Sequence, residues 1–334
     1  MTKHVRLAVV MDPIDHIKYA KDSTLAMLLA AEEHGFALSY LEQGDLALRD
    51  GVALGRMRPL AVKADPKGWF TLGAARTEPL SELDCLLMRK DPPFDIEYIY
   101  TTYILERAET AGVLIVNRPQ GLRDMNEKVY TAWFPKCCAP TLITRDMSEM
   151  AAFLREHHKI VCKPLHGMGG RSIFVLDERD RNARVVFETL SDYGQRFAIV
   201  QRYLPEIAES GDSRVLLIDG EPVPYALARI PSPDDHRGNL AAGAKGVGRP
   251  LNDRDRFLAR EIGPALAERG MLFVGLDVIG GFVTEINVTS PTGIRELDKQ
   301  FGIHIGVQLI EAIEKRLAGA PRARGRAAAS GPAP

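Results

Sequence analysis

Two carboxylates and an amide near the end of the chain carry its strongest chemical signal. Asp277, Glu285 and Asn287 offer the hard oxygen donors that Mg²⁺ takes. Asp277 interrupts the otherwise apolar run 273–279, where a carboxylate is costly unless it is paired or ligating. Metal ligation is therefore favoured over a row of solvated carboxylates. Side chains alternate faces along a strand, so register decides the matter. An even-length turn centred on Gly280-Gly281 pairs Leu276 with Glu285 and sends Asp277 to the opposite face. An odd-length turn or a bulge puts Asp277, Glu285 and Asn287 on one face, and the metal reading requires that second register.

A second cluster is the run His166-Gly167-Met168-Gly169-Gly170-Arg171-Ser172. Gly167, Gly169 and Gly170 allow backbone amides to approach a phosphate chain without Cβ collisions. Lys163, three residues earlier, can bring an ammonium to the same phosphates. A glycine-rich hairpin loop with a surface lysine explains the pattern equally well. Lys128, in Asn126-Glu127-Lys128, reads alone as a solvated lysine. Arg214, Arg229, Arg237 and Arg295 can each fork a carboxylate or phosphate, although singly each reads as a surface arginine. Ser290 and Thr292 can cap a following helix, with Glu296 as its first-turn acid. Residues 231–248 are too polar and glycine-rich to pack, and read as disordered or as a lid. The sequence contains no Walker loop, dinucleotide fingerprint, zincin motif or hydrolase elbow.

These groups need elements to hold them. Strands are expected at 5–11, 37–41, 85–88 and 114–116, with helices at 23–33 and 96–111. Ser23 is the expected N-cap of the first helix, and Gly35 takes its C′ position. Alternating strands and helices imply a parallel, doubly wound sheet. Asp12, Arg89 and Asn117 lie at its carboxyl edge, where such sheets bind ligands. After Pro140 the pattern changes. Helices are expected at 146–157, 185–192, 253–269 and 305–317. Strands are expected at 160–163, 173–176, 198–202, 215–218, 224–228, 273–279 and 283–288. Residues 318–334 lack apolar periodicity and read as a disordered tail.

The 334 residues suit two or three domains. Forty-three basic and 44 acidic residues give a net charge of −1, which argues against a dedicated nucleic-acid binder. No apolar run approaches the ~20 residues that span a bilayer, and no signal peptide opens the chain. Four cysteines, Cys85, Cys137, Cys138 and Cys162, fit neither a disulfide framework nor a zinc site. The expectation is a soluble cytoplasmic protein with no nucleic-acid or membrane partner.

In this order the clusters resemble the ATP-grasp superfamily and, more closely, bacterial glutathione synthetase. The runs Met11-Asp12-Pro13-Ile14, Met88-Arg89-Lys90-Asp91-Pro92-Pro93-Phe94-Asp95 and Tyr103-Ile104-Leu105-Glu106-Arg107-Ala108-Glu109 carry the likeness. So do Lys163 to Gly170, Asp219 to Tyr225, Arg237 to Gly243 and Thr284 to Thr292. Arg202 stands where a small polar residue is expected, and Gly293 where a cysteine is. The resemblance implies an α/β architecture: an ATP-grasp fold of two α+β subdomains clamping ATP, preceded by a small doubly wound parallel-sheet domain. The expected boundaries are 1–122, 123–196 and 197–317, with 318–334 outside.

The implied reaction joins γ-glutamylcysteine to glycine, with ATP as co-substrate and Mg²⁺ as cofactor, Mn²⁺ being a possible substitute. Lys128, Lys163 and the loop with Gly167, Gly169 and Gly170 match phosphate-binding positions. Gln201, Tyr203 and Leu204 match the adenine hinge, and Asp212 the ribose-binding acid. Asp277, Glu285 and Asn287 match the metal ligands, and Arg214 and Arg229 the catalytic arginines. Arg89, Asn239, Ser290, Thr292, Arg295 and Glu296 match peptide- and glycine-binding positions. The family also implies a homo-oligomer, expected to be a tetramer. Another carboxylate–amine ligase, or a nucleotide sensor that kept the cleft, is the competing reading. The long matching runs weigh against the other ligase, and the intact set Asp277, Glu285 and Asn287 with the paired lysines weighs against the sensor.

Overall fold

The computed structural model describes residues 4–167, 171–230 and 245–319, which build three sheets. In the first, strands Arg6–Val10, Ala37–Leu41, Cys85–Met88 and Leu114–Val116 pair in parallel. Leu7, Val9, Cys85 and Leu87 pack with Leu25 and Leu28 of helix Ser23–Glu33 and with Leu309 and Ile313 of helix Ile305–Gly319. Ala8, Val10, Leu86 and Met88 face the other way, among Tyr98 and Leu105 of helix Ile96–Thr110. Helices therefore cover both faces, as a parallel sheet requires.

Two details correct the sequence reading here. Residues 46–79, read without elements, hold strands Leu46–Arg49, Val52–Val62, Phe70–Leu72 and Arg76–Pro79, which extend the sheet in antiparallel fashion through the pairing of Leu38 with Leu60. Gly55 and Pro59 interrupt the longest of these and hide its alternation. The first helix is capped not by Ser23 but by Asp22, whose carboxylate accepts from Leu25 N at 2.6 Å.

The second sheet is antiparallel, in the order Phe174–Asp177, Lys159–Pro164, Ala198–Arg202, Thr141–Thr144. Helices Met147–His157 and Ala183–Ser191 cover it through Met150, Leu154, Phe187 and Leu190. Strand Ala198–Arg202, expected beyond a boundary at 196, pairs inside this sheet, Val200 opposite Cys162. The subdomain thus continues past 202.

The third sheet is also antiparallel: Lys245–Pro250, Glu221–Ile230, Asp212–Ile218, Phe273–Ile279, Phe282–Asn287. Val215, Leu217, Ala226, Val274 and Leu276 bury one face among Leu258, Ile262 and Leu266 of helix Asp253–Glu268. The other face changes character along each strand. Asp212 and Arg214 are polar, while Leu216 and Ile218 join the apolar contact with Ile294, Leu297, Ile305 and the N-terminal sheet. Lys245–Gly248, placed in a lid by sequence, pairs as an edge strand instead, Gly246 opposite Arg229 and Gly248 opposite Leu227. These residues have little apolar content, and backbone hydrogen bonds hold them. The rest of that segment, 231–244, and the tail from 320 lie outside the described residues. Among the described residues no helix is long and apolar enough to cross a membrane.

Candidate active site

The polar end of the third sheet gathers most of the charged residues singled out above. Around the Gly280-Gly281 turn the register is even, with Ile279 opposite Phe282 and Val278 opposite Val283. Thr284 is then an extra residue, so Asp277 faces Glu285, and Gly275 faces Asn287. The register required for metal ligation is present, and a bulge produces it rather than the turn. The Thr284 hydroxyl donates to the Asp277 carbonyl at 3.3 Å.

On the other side Asp277 faces Arg214. Arg214 donates Nε to Oδ1 at 2.6 Å and Nη2 to Oδ2 at 2.9 Å, a bidentate fork. Arg229 Nη2 reaches Asp212 Oδ2 at 2.5 Å and Asp277 Oδ2 at 2.9 Å. Gly275 makes the fork possible, because a Cβ there would lie 2.7 Å from Arg214 Cδ and 3.0 Å from its Nε. Asn287 Nδ2 donates to the Gly275 carbonyl at 3.3 Å, which leaves its oxygen available. Two carboxylates and an amide oxygen on one face form a hard donor set of the kind a small divalent cation takes, with both Asp277 oxygens here paired to Arg214 and Arg229.

The lysines approach from the second sheet and the segment before it. Lys163 is buried in Lys159–Pro164, and burial lowers its ammonium against the opposing pull of Glu285. Lys128 heads a short 3₁₀ turn, Val129–Trp133. Its Nζ contacts Glu127 Oε1, donates to the Gly167 carbonyl at 3.1 Å and lies 3.7 Å from Glu285 Oε1. Gly169 and Gly170 lie outside the described residues.

Burial and pairing compete across the cluster. Burial opposes ionisation of Asp277, yet Arg214 and Arg229 hold its carboxyl well below the usual range. Burial pushes Asp212 up to about 7 despite Arg229. Burial also opposes the Lys128 ammonium, but Glu285 and Glu127 raise it. Four cations, Lys128, Lys163, Arg214 and Arg229, and four carboxylates, Glu127, Asp212, Asp277 and Glu285, thus interact in one cluster. One oxygen, Asp212 Oδ1, is buried without a hydrogen-bond partner, an acceptor open to a hydroxyl donor.

At the end of strand Ala198–Arg202, Gln201 is buried and donates to Thr141 Oγ1 at 3.0 Å. Tyr203 N donates to the Lys159 carbonyl at 3.0 Å, its ring lies 4.1 Å from Lys159 Nζ, and Leu204 is buried beside it. Arg202, the departure noted above, lies 5.8 Å from the Phe282 ring.

The loop after Asn287 is held by the N-terminal sheet. Arg89 is buried; its Nε donates to Thr24 Oγ1 at 3.1 Å and its Nη2 to the Pro291 carbonyl at 3.0 Å. Ser290 donates to Asp91 Oδ1 at 2.6 Å. Asn117 Nδ2 donates to the carbonyls of Phe273 and Val288 at 2.7 and 2.6 Å. Thr292 contributes its carbonyl to Arg214 Nη1 at 3.4 Å. Neither Ser290 nor Thr292 caps helix Ile294–Phe301. Ser23 does so from across the domain boundary, its hydroxyl accepting from Gly293 N and Ile294 N at 3.2 and 3.3 Å. Arg295 lies 5.1 Å from the Tyr19 ring. Glu296 has a buried oxygen without a partner, and burial raises its carboxyl. Asn239 lies outside the described residues. Sequence reading missed Glu127, Gly275, Ser23 in its capping role, and Asp91. Only Gly275 carried a signal, a glycine inside a strand where another group approaches closely.

Profiles of the prokaryotic glutathione synthetase N-terminal domain and ATP-grasp domain match residues 5–123 and 127–302. The glutathione synthetase of Pseudomonas aeruginosa is 57% identical over 314 residues, 94% of this chain and 99% of the relative. That of Shewanella oneidensis is 56% identical over 313 residues, with 94% and 99% covered. Among solved structures, D-cycloserine synthetase DcsG aligns at a TM-score of 0.65 with 15% identity, covering 93% of this chain and 99% of its own. ATP-grasp ligase PsnB, complexed with minimal precursor, Mg and ADP, aligns at 0.60 with 14% identity, covering 93% and 98%. At that identity the two structures show the ATP-grasp fold alone.

Proposed function

The chain belongs to the prokaryotic glutathione synthetase family, and from that premise we propose how its residues divide the work. The enzyme is a ligase that joins γ-glutamylcysteine to glycine at the expense of ATP, forming glutathione, ADP and phosphate. A carboxylate is a poor electrophile at neutral pH. Phosphorylation converts it to an acyl phosphate with a good leaving group, which the glycine amine then attacks. The single observation that supports this division of labour is the row Arg214, Asp277, Glu285 on one sheet face, with Lys128 and Lys163 facing it.

Lys128, Lys163 and the Gly167 backbone bind nucleotide phosphates, where fixed cations stabilise the charge of phosphoryl transfer. Gln201, Tyr203 and Leu204 form the adenine hinge, and Asp212 Oδ1 accepts from a ribose hydroxyl. Asp277, Glu285 and Asn287 hold the divalent cation, Mg²⁺ with Mn²⁺ as substitute. When bound, that cation supplies Lewis-acid neutralisation of phosphate charge. Arg214 and Arg229 direct guanidinium N–H groups at the transferred phosphoryl and the oxyanion that follows. Arg89, Ser290, Thr292, Arg295 and Glu296 shape the peptide and glycine pocket, with Glu296 presenting an open acceptor to an amine.

The working form is a cytoplasmic homotetramer, with residues 1–122 serving as the substrate domain. The test is ADP release with ATP, Mg²⁺ and γ-glutamylcysteine, with and without glycine. Glycine-dependent ADP release in step with glutathione is the expected result. Nucleotide binding without such turnover would move the assignment to another amine acceptor.

A further inference from the structure

Lys128 is held by more groups than phosphate binding explains. Asn126 fixes the turn that carries it: Asn126 Oδ1 accepts from Lys128 N and Val129 N at 3.1 and 3.0 Å, and its Nδ2 donates to the Leu165 carbonyl at 3.2 Å. Glu127 is pinned as well, since its carbonyl accepts from Ile286 N at 2.8 Å. Ile286 lies between Glu285 and Asn287, so Glu127 and Glu285 reach Lys128 from adjoining chain segments. With the backbone fixed on both sides, the remaining freedom is how the ammonium, which also donates to the Gly167 carbonyl, divides itself between two carboxylates. It sits against Glu127 Oε1 and stands 3.7 Å from Glu285 Oε1. The Lys128 side chain is only 5% exposed, so water screens neither pairing strongly.

We infer that Glu127 is a positioning residue that holds the Lys128 ammonium off Glu285 and so keeps the Glu285 carboxylate free to take a metal. Remove the Glu127 charge, and Glu285 becomes the nearest anion to a buried cation. The ammonium then closes on Glu285 and competes with a divalent cation for the same oxygens. On this inference Glu127 acts through Lys128, whose ammonium it contacts, and is not itself a ligand of the metal. The inference rests on the reading of Glu285 as a metal ligand, and the experiment separates the two.

Mn²⁺ binding to the full-length enzyme with ADP present is followed by electron paramagnetic resonance, which needs no turnover. Substitution of a residue that supports a metal ligand costs about 10–100-fold in affinity. Glu127→Gln is expected to weaken Mn²⁺ about tenfold, with Glu127→Asp between it and the wild type. In a Lys128→Met background the ammonium is gone, so Glu127→Gln is expected to change Mn²⁺ affinity less than about twofold. Wild-type affinity in Glu127→Gln would overturn the inference. A full tenfold loss persisting in the Lys128→Met background would also overturn it, by making Glu127 a direct ligand. Glu285→Gln serves as the control: if it binds Mn²⁺ as the wild type does, the metal reading fails, and this inference fails with it. Should Glu127→Gln not fold, Glu127→Asp in the two backgrounds carries the same comparison.

Discussion

Replacing Gly275 with alanine adds one methyl group beside the Arg214–Asp277 fork. The new Cβ would stand 2.7 Å from Arg214 Cδ, 3.0 Å from Nε and 3.0 Å from Pro291 Cβ. Relief to ordinary contact requires the arginine stem to withdraw by about 0.7 Å. The fork bonds of 2.6 and 2.9 Å would then approach the limit of hydrogen bonding. Overpacking costs about 1–3 kcal/mol, and a weakened hydrogen bond to a charged group costs about 1.5 kcal/mol more. The expected destabilisation is therefore about 3 kcal/mol. A catalytic group displaced by about 1 Å costs roughly a hundredfold in rate, so kcat should fall by a comparable factor. Urea unfolding measures the first quantity and coupled ADP release the second. The same substitution in an Arg214→Ala background supplies the control, because the methyl group then meets chiefly Pro291 and its penalty should shrink to about 1 kcal/mol. Wild-type stability and rate in Gly275→Ala, or an undiminished penalty without Arg214, would refute the claim that Gly275 exists to seat that arginine.

Arg229→Ala should lower kcat by roughly a hundredfold while changing ATP affinity much less; equal losses in single-turnover and binding measurements would count against an oxyanion role. Asp212→Asn should weaken ATP by about tenfold through loss of a charged acceptor, and should barely affect 2′,3′-dideoxy-ATP; equal weakening of both nucleotides would remove the ribose assignment. Ser23→Ala strips the cap from helix Ile294–Phe301 and should cost about 1 kcal/mol in chemical denaturation, together with a raised KM for glycine or γ-glutamylcysteine. An unchanged KM for both would confine Ser23 to stability.

The legible parts of the chain were those whose signal is local. Asp277 stood out because a charge inside an apolar strand is visible one residue at a time, and strands Phe273–Ile279 and Ala198–Arg202 match the expected spans. The bulge at Thr284 was not legible, since nothing in Thr284 itself marks an extra residue; the partner strand decides it. Ser23 shows the opposite failure. A serine at a helix start reads as that helix's own cap, but the helix begins one residue earlier in effect, with Asp22 in the N-cap position accepting from Leu25 N and the Ser23 hydroxyl turned to a helix 270 residues away. Glu127 carries no signal in the sequence because its backbone link to Ile286 is tertiary. Residues 46–79 escaped because Gly55 and Pro59 break the alternation that announces a strand.

The bonds that hold the loop 288–294 share one property with a consequence for how the enzyme comes into being. They join residues separated by 171, 199, 202 and 270 positions: Asn117 to Val288, Asp91 to Ser290, Arg89 to Pro291 and Ser23 to Gly293. Such closures cost chain entropy before they return any contact. The second and third sheets, by contrast, are built largely from neighbouring segments, whose closure costs less chain entropy. The anchorage of this loop is thus complete only when the N-terminal sheet and the segment 288–294 have met. A chain cut short before residue 288 can own the N-terminal sheet, yet it leaves Asn117, Asp91, Arg89 and Ser23 without these partners.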